Sequence, residues 1–159
     1  MHILSEERIN ALIAEPKPEP SGLEPLGVMT QRNQHYRKDF RIVAPSGNEF
    51  LLAIRRSALN VLDFSVIIGY QLPHLHTVFR LRRYNGKSHP HTNTIEKQTF
   101  YDFHFHTATE RYQRPGFREE HFALVTGRYQ NLEGAIQCML DDCGFRTPSP
   151  QLPLRWEQE

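Results

Sequence analysis

The chain reads as an α+β fold: a twisted antiparallel sheet of about five or six strands, with an N-terminal and a C-terminal helix packed on one face. Three observations predict this. Short β-branched and aromatic runs punctuated by turn residues fill residues 34–130. Helical apolar spacing is confined to the two ends of the sequence. Eleven prolines and nine glycines suit a loop-rich sheet better than a helical bundle. At 159 residues the chain is read as one domain, 1–159, able to bury a substantial core.

Ser5 is placed to cap a helix over residues 1–15, with Glu6 and Glu7 in the first turn and Ile9, Leu12 and Ile13 as its apolar stripe. Pro16, Pro18 and Pro20 end that helix and open an irregular arm over 16–33. Tyr36–Ala44, the turn Pro45-Ser46-Gly47-Asn48 and Glu49–Arg56 form a hairpin. Asp63–Gln71 is an apolar central strand, and His76–Tyr84 follows, ending at the turn dipeptide Asn85-Gly86. A polar loop over 87–96 leads to a fifth strand, Lys97–Thr107. Pro115-Gly116 marks a turn, and Glu120–Thr126 is a short strand candidate. Asn131 caps a helix over 131–145 with the stripe Leu132, Ala135, Ile136, Met139 and Leu140, closed by Gly144. A tail over 146–159 follows, which Trp156 is expected to anchor.

No apolar run approaches the roughly 20 residues of a membrane span, and residues 1–14 lack a signal-peptide pattern. A cytoplasmic location is the resulting expectation. Cys138 and Cys143 are the only cysteines, so a disulfide framework or a cysteine-based zinc site is not expected. Net charge is +1, unevenly spread: +7 over residues 31–128 and −3 in each flank. A basic centre suits an anionic ligand such as nucleic acid, unless the acidic flanks fold over it.

The most informative motif is histidine. Six of the nine histidines form three His-x-His pairs, 74/76, 89/91 and 104/106, spaced by fifteen residues. On a strand, residues i and i+2 share a face, so each pair presents two imidazoles together. Alternation sets His104 and His106 on one face with Asp102, opposite Tyr101, Phe103 and Phe105. It sets His76, Arg80, Arg82 and Tyr84 together on the preceding strand. Antiparallel pairing with His76 opposite His106 merges these into one patch, over which the 87–94 loop folds His89, His91 and Asn93. The segment from Thr107 to Gln113 adds Glu110, Arg111 and Tyr112.

Two chemistries fit that patch. Imidazoles can act as general acid and base while arginines hold a phosphodiester. The candidates are His104, His106, His91, Glu110 and Tyr112 for catalysis and Arg80, Arg82 and Arg111 for phosphate, with no cofactor. Alternatively, His76, His104, His106 and Asp102 ligate a divalent metal such as zinc. Interleaved guanidiniums argue against a cation there.

The opening LSEERINALIAEPK, the loop RRYNGKSHPHTNT and the strand YDFHFHTATERYQ resemble a domain-of-unknown-function family of small bacterial proteins carried on mobile elements. They share with TumE-type toxins a histidine loop followed by a His-x-His strand. Phe103 stands where that pattern has proline. The resemblance spans residues 4–14 and 35–113 and carries no residue roles beyond the two histidine motifs. It implies toxin–antitoxin or phage-defence biology with RNA as target. A metal-independent ribonuclease is thus the leading expectation, with a bell-shaped pH profile centred between about 6 and 7.5. A histidine-metal protein, or a non-catalytic module such as an antitoxin or phage inhibitor, is the alternative. An antitoxin is also the expected protein partner of a toxin.

Overall fold

The computed structural model describes residues 3–146. Trp156, expected to anchor the C-terminal tail, lies outside the described residues. The elements are α1 (Glu6–Ala14), β1 (Thr30–Arg32), β2 (His35–Val43), β3 (Glu49–Ser57), β4 (Phe64–Gln71), β5 (Val78–Asn85), β6 (His91–Asn93), β7 (Gln98–Phe100), β8 (His104–Thr107), α2 (Glu110–Gln113), β9 (Ala123–Val125) and α3 (Leu132–Asp142). Seven strands form one antiparallel sheet in the order β1-β2-β3-β4-β5-β8-β9, and β6 and β7 form a separate hairpin. The α+β expectation holds: β9 falls within the short strand candidate Glu120–Thr126, and the main sheet gains one strand, the three-residue edge strand β1, from the end of the expected irregular arm.

Each helix starts where its cap requires. The Ser5 side chain accepts from Arg8 N, and the Asn131 side chain from Gly134 N. Gly144, at φ +82°, ends α3 in the left-handed region, and a Cβ there would meet Glu15 O at 2.1 Å. Both long helices pack on one sheet face. Ile9, Leu12 and Ile13 of α1 and Ala135, Ile136, Met139 and Leu140 of α3 close a core with Phe50, Leu52, Ile54, Val66 and Ile68. Leu23 of the arm is buried in the same core. The opposite face, carrying His35, Arg37, Asp39 and Arg41 of β2, is open to solvent.

Lys17, 4% exposed, joins the two helix ends. Its Nζ donates to Leu12 O, Ile13 O, Glu15 O and Cys143 O at 2.7–3.0 Å. These are helix-terminal carbonyls that lack partners of their own. Burial pushes the ammonium down to about 8, so it stays protonated at neutral pH. Lys17→Met should therefore cost about 3 kcal/mol, because it strands buried acceptors. Urea unfolding at pH 7 measures this; an unchanged midpoint would show that the helix ends need no such cap.

Three expectations fail for one reason each. The polar loop and fifth strand over 87–107 are not one loop and one strand. Residues 91–93 and 98–100 pair with each other, and Tyr101–Phe103 leave the sheet before β8 begins. Consequently β5 meets only a four-residue partner, with Arg83 opposite His106 and Asn85 opposite His104. The register that put His76 opposite His106 is thereby excluded. His76 sits instead in the β4–β5 turn, whose carbonyls at Leu72, Leu75 and Thr77 are tied together by the Gln71 amide. The third failure is alternation within β5. Ile68 pairs with Arg82 but Gly69 with Arg80, so Leu81 is an inserted residue and a β-bulge. Past it, the face of every side chain switches.

Candidate functional site

The bulge decides which arginine meets the histidines. Arg80 and Arg83 emerge on the open face, while Arg82 and Tyr84 turn to the helix face. There Tyr84 stacks on Phe105 with centroids 5.8 Å apart, and its hydroxyl donates to Asp142 at 2.8 Å. Arg82 lies 3.5 Å from Asp142 and 5.4 Å above the Phe105 ring, remote from any histidine. Its expected place beside His104 and His106 is thus corrected, and Arg83, the other arginine of the Arg82-Arg83 pair, takes that place.

His104 and His106 share the open face, as alternation requires, yet they are buried: 4% and 8% exposed. A common face does not make them exposed, because the β6–β7 hairpin folds over them. Asn93, the last residue of β6, is the anchor. Its Oδ1 accepts from Ala123 N at 2.9 Å, and its Nδ2 donates to Ala123 O at 2.8 Å. It thereby satisfies the edge strand β9 as a further strand would. Tyr112 holds the hairpin's turn: its hydroxyl accepts from Ile95 N at 3.1 Å and donates to Glu96. Docked in this way, the hairpin brings His91 onto the pair. Ring centroids lie 5.6 Å apart for His91–His104, 4.7 Å for His91–His106 and 5.1 Å for His104–His106. His121, just before β9, adds a fourth ring 5.1 Å from His91.

Acceptor-only partners assign the tautomers. His104 Nδ1 donates to Asp102 O at 2.8 Å, and His106 Nδ1 to Glu120 O at 2.9 Å, leaving both Nε2 atoms with lone pairs. The Asn93 amide is oriented by Ala123, so His91 Nε2 donates to Asn93 Oδ1 at 2.9 Å and leaves Nδ1 free. His121 Nε2 donates to Thr92 O at 3.1 Å. Burial is the main cause lowering the pKa of His91, His104 and His106, the last to about 3. These imidazoles are neutral at pH 7.

The rings line a cavity of about 210 Å³ together with Arg83, Asn85, Arg118 and Glu120. Glu120 is 2% exposed, and burial raises its carboxyl pKa against the opposing pull of Arg83. Arg80 Nε and Arg83 Nη2 each stand 3.6 Å from Glu120 Oε2, beyond hydrogen-bond length. Among the described residues, the buried side-chain atoms without a hydrogen-bond partner are Arg83 Nε, Asn85 Oδ1 and Glu120 Oε2. All three belong to residues lining this cavity. An orphaned buried polar group costs about 1–3 kcal/mol, so three in one place point to a ligand.

The remaining candidates lie elsewhere. Asp102 contributes its carbonyl rather than its carboxylate, and His76 is exposed in the distant turn, so the proposed metal set His76, His104, His106 and Asp102 is not brought together. Each imidazole does present one lone pair with its other nitrogen held by oxygen, a pattern that metal ligands share. However, no three His, Cys, Asp or Glu side chains among the described residues converge on a possible metal position. Glu110 pairs with Arg114 at the surface, and Arg111 pairs with Glu96. Tyr112 is a buried strut, not a cavity group. Arg118, Glu120 and His121 belong to no paired motif in the sequence; Glu120 and His121, placed in the short strand candidate Glu120–Thr126, instead precede β9, and Asn85 was read as a turn residue.

No family model, curated protein or solved structure matches this chain. No helix among the described residues is long and apolar enough to cross a membrane.

Proposed function

We propose that the cavity is an acid/base site that cleaves RNA without a metal, as a small toxin-class ribonuclease. The observation carrying this reading is the coincidence of neutral imidazoles, a carboxyl of raised pKa and guanidiniums around three unsatisfied polar atoms. Environments that push titrating groups in opposite directions separate base from acid. His106, held near 3, is too weak a base at neutral pH and serves as a hydrogen-bond acceptor. His104 Nε2 takes the proton of the ribose 2′-hydroxyl as its oxygen attacks phosphorus. The Glu120 carboxyl, biased by burial toward its protonated form, gives a proton to the departing 5′-oxygen, leaving a 2′,3′-cyclic phosphate and a 5′-hydroxyl. Arg83 and Arg80 hold the phosphate oxygens and stabilise the charge that builds on them. The cavity admits one such group, with the rest of the chain outside.

Purified protein should cleave RNA equally well with and without chelator. Glu120→Gln should keep the fold and slow the reaction about 10²–10⁴-fold, the usual worth of one general acid. Gel-resolved cleavage with end-group analysis measures both. RNA left intact from pH 5 to 9, or cleavage abolished by chelator and restored by a divalent metal, would overturn the reading.

A further inference from the structure

Strand register places the cavity at one end of a straight polar row. Arg37 pairs with Arg55, Arg55 with Ser65, Ser65 with Asn85 and Asn85 with His104. All five side chains lie on the sheet face away from both long helices, with Ser65 (3% exposed) and His104 recessed beneath their neighbours. Four strand spacings of about 4.8 Å put Arg37 roughly 19 Å from His104. Half-buried Leu51, Ala53 and Ile67 make an apolar floor alongside the row.

The far end of the row opens into a cleft of about 770 Å³ at the β1–β2 edge. Arg32, Arg37, Lys38, Arg55 and His35 line it, and Asp39 is the carboxylate among the lining residues. Arg55 is already paired with Asp63 at 2.8 Å, which leaves Arg32, Arg37 and Lys38 as the cations for an anion. Arg32 and Lys38 form no ion pair among the described residues. The Arg37–Asp39 pair, at 2.9 Å, is more than half exposed on both sides and therefore weak enough to be exchanged for a phosphate.

We infer that this cleft is a distal phosphate subsite, and that the substrate is a single strand lying across the sheet, perpendicular to its strands, from the β1–β2 edge to the histidine cavity. The inference rests on the RNA reading of the cavity. A duplex presents its bases inward and leaves the apolar floor empty, whereas a single strand can lay bases on it without sequence preference. Spanning both ends needs about four or more nucleotides, so a dinucleotide reaches the cavity alone.

Fluorescence anisotropy with a twelve-nucleotide 2′-O-methyl RNA reads binding independently of cleavage. Wild type should bind it at least tenfold tighter than a 2′-O-methyl dinucleotide and tighter than the matching duplex. Arg32→Ala/Arg37→Ala should weaken twelve-mer binding about tenfold. It should also lower the slope of log affinity against log salt by about 1.4, at roughly 0.7 per single-strand phosphate contact. Cleavage of an unmodified dinucleotide should be unchanged in that variant. Length-dependent binding that the double variant loses, with no cleavage by wild type, would sink the ribonuclease reading and leave the strand track standing. Equal twelve-mer affinity in wild type and double variant at matched salt would overturn the inference, as would equal affinity for dinucleotide and twelve-mer.

Discussion

Alanine at His104 should slow RNA cleavage by about 10²–10⁴-fold, and free imidazole should restore part of the rate. The ring fills the cavity between His91, His106 and Phe100, and its removal leaves a hole of its own shape. Stability should fall as well, by about 1–3 kcal/mol, because a buried ring and its bond to Asp102 O are lost. Circular dichroism at the assay temperature separates the two losses, and imidazole rescue answers only to the missing base. The rate–pH profile should also sit lower than exposed histidines imply. Burial lowers His104, so the base stays free below pH 6.5, and Glu120, raised by burial, supplies the alkaline limb. An optimum on the acid side of neutrality follows. An alanine variant that cleaves at the wild-type rate would remove His104 from the chemistry.

Much of this arrangement was legible in the sequence. The helix caps at Ser5 and Asn131, the stop at Gly144 and the hairpin around Ser46-Gly47 are local rules, and local rules held. Alternation correctly gave His104 and His106 a common face, and the 87–94 loop does bring His91 and Asn93 to them. What alternation could not foresee is the bulge at Leu81, which exchanges Arg82 for Arg83 at the site. A trace of it was present. Gly69 interrupts an otherwise β-branched strand, and a Cβ there would stand 2.4 Å from Val78 Cγ1. A glycine inside a strand often marks such a close approach. Glu120 and His121 carried no comparable trace. Their positions depend on Asn93 docking against Ala123, a contact between residues thirty apart. The rings' burial has the same origin, since a strand pattern reports a face and not what later covers it.

That burial predicts acid lability traceable to His106. Its pKa falls from 6.5 to about 3 on folding, so above pH 6.5 the neutral ring imposes no protonation cost. Between 6.5 and 3 the unfolded chain binds the proton that the folded protein refuses, and stability is lost as pH falls. At up to about 1.4 kcal/mol per pH unit, His106 alone should remove roughly 2 kcal/mol between pH 6.5 and 4.5, the unfolded ring being half protonated at the start. His91 and His104 are lowered in the same sense and add to the loss. Glu120 acts oppositely: its raised pKa makes the folded protein hold a proton that the unfolded chain has released, so its contribution improves as pH falls. Three histidines against one carboxyl leave a net acid loss. Urea unfolding of wild type and His106→Gln at pH 7.5 and 4.5 isolates the His106 part. At pH 7.5 the variant should be the less stable, having lost the bond to Glu120 O. At pH 4.5 the gap should close or reverse, because glutamine cannot titrate. Parallel losses in the two proteins would mean that His106 is not the group protonating as the fold opens.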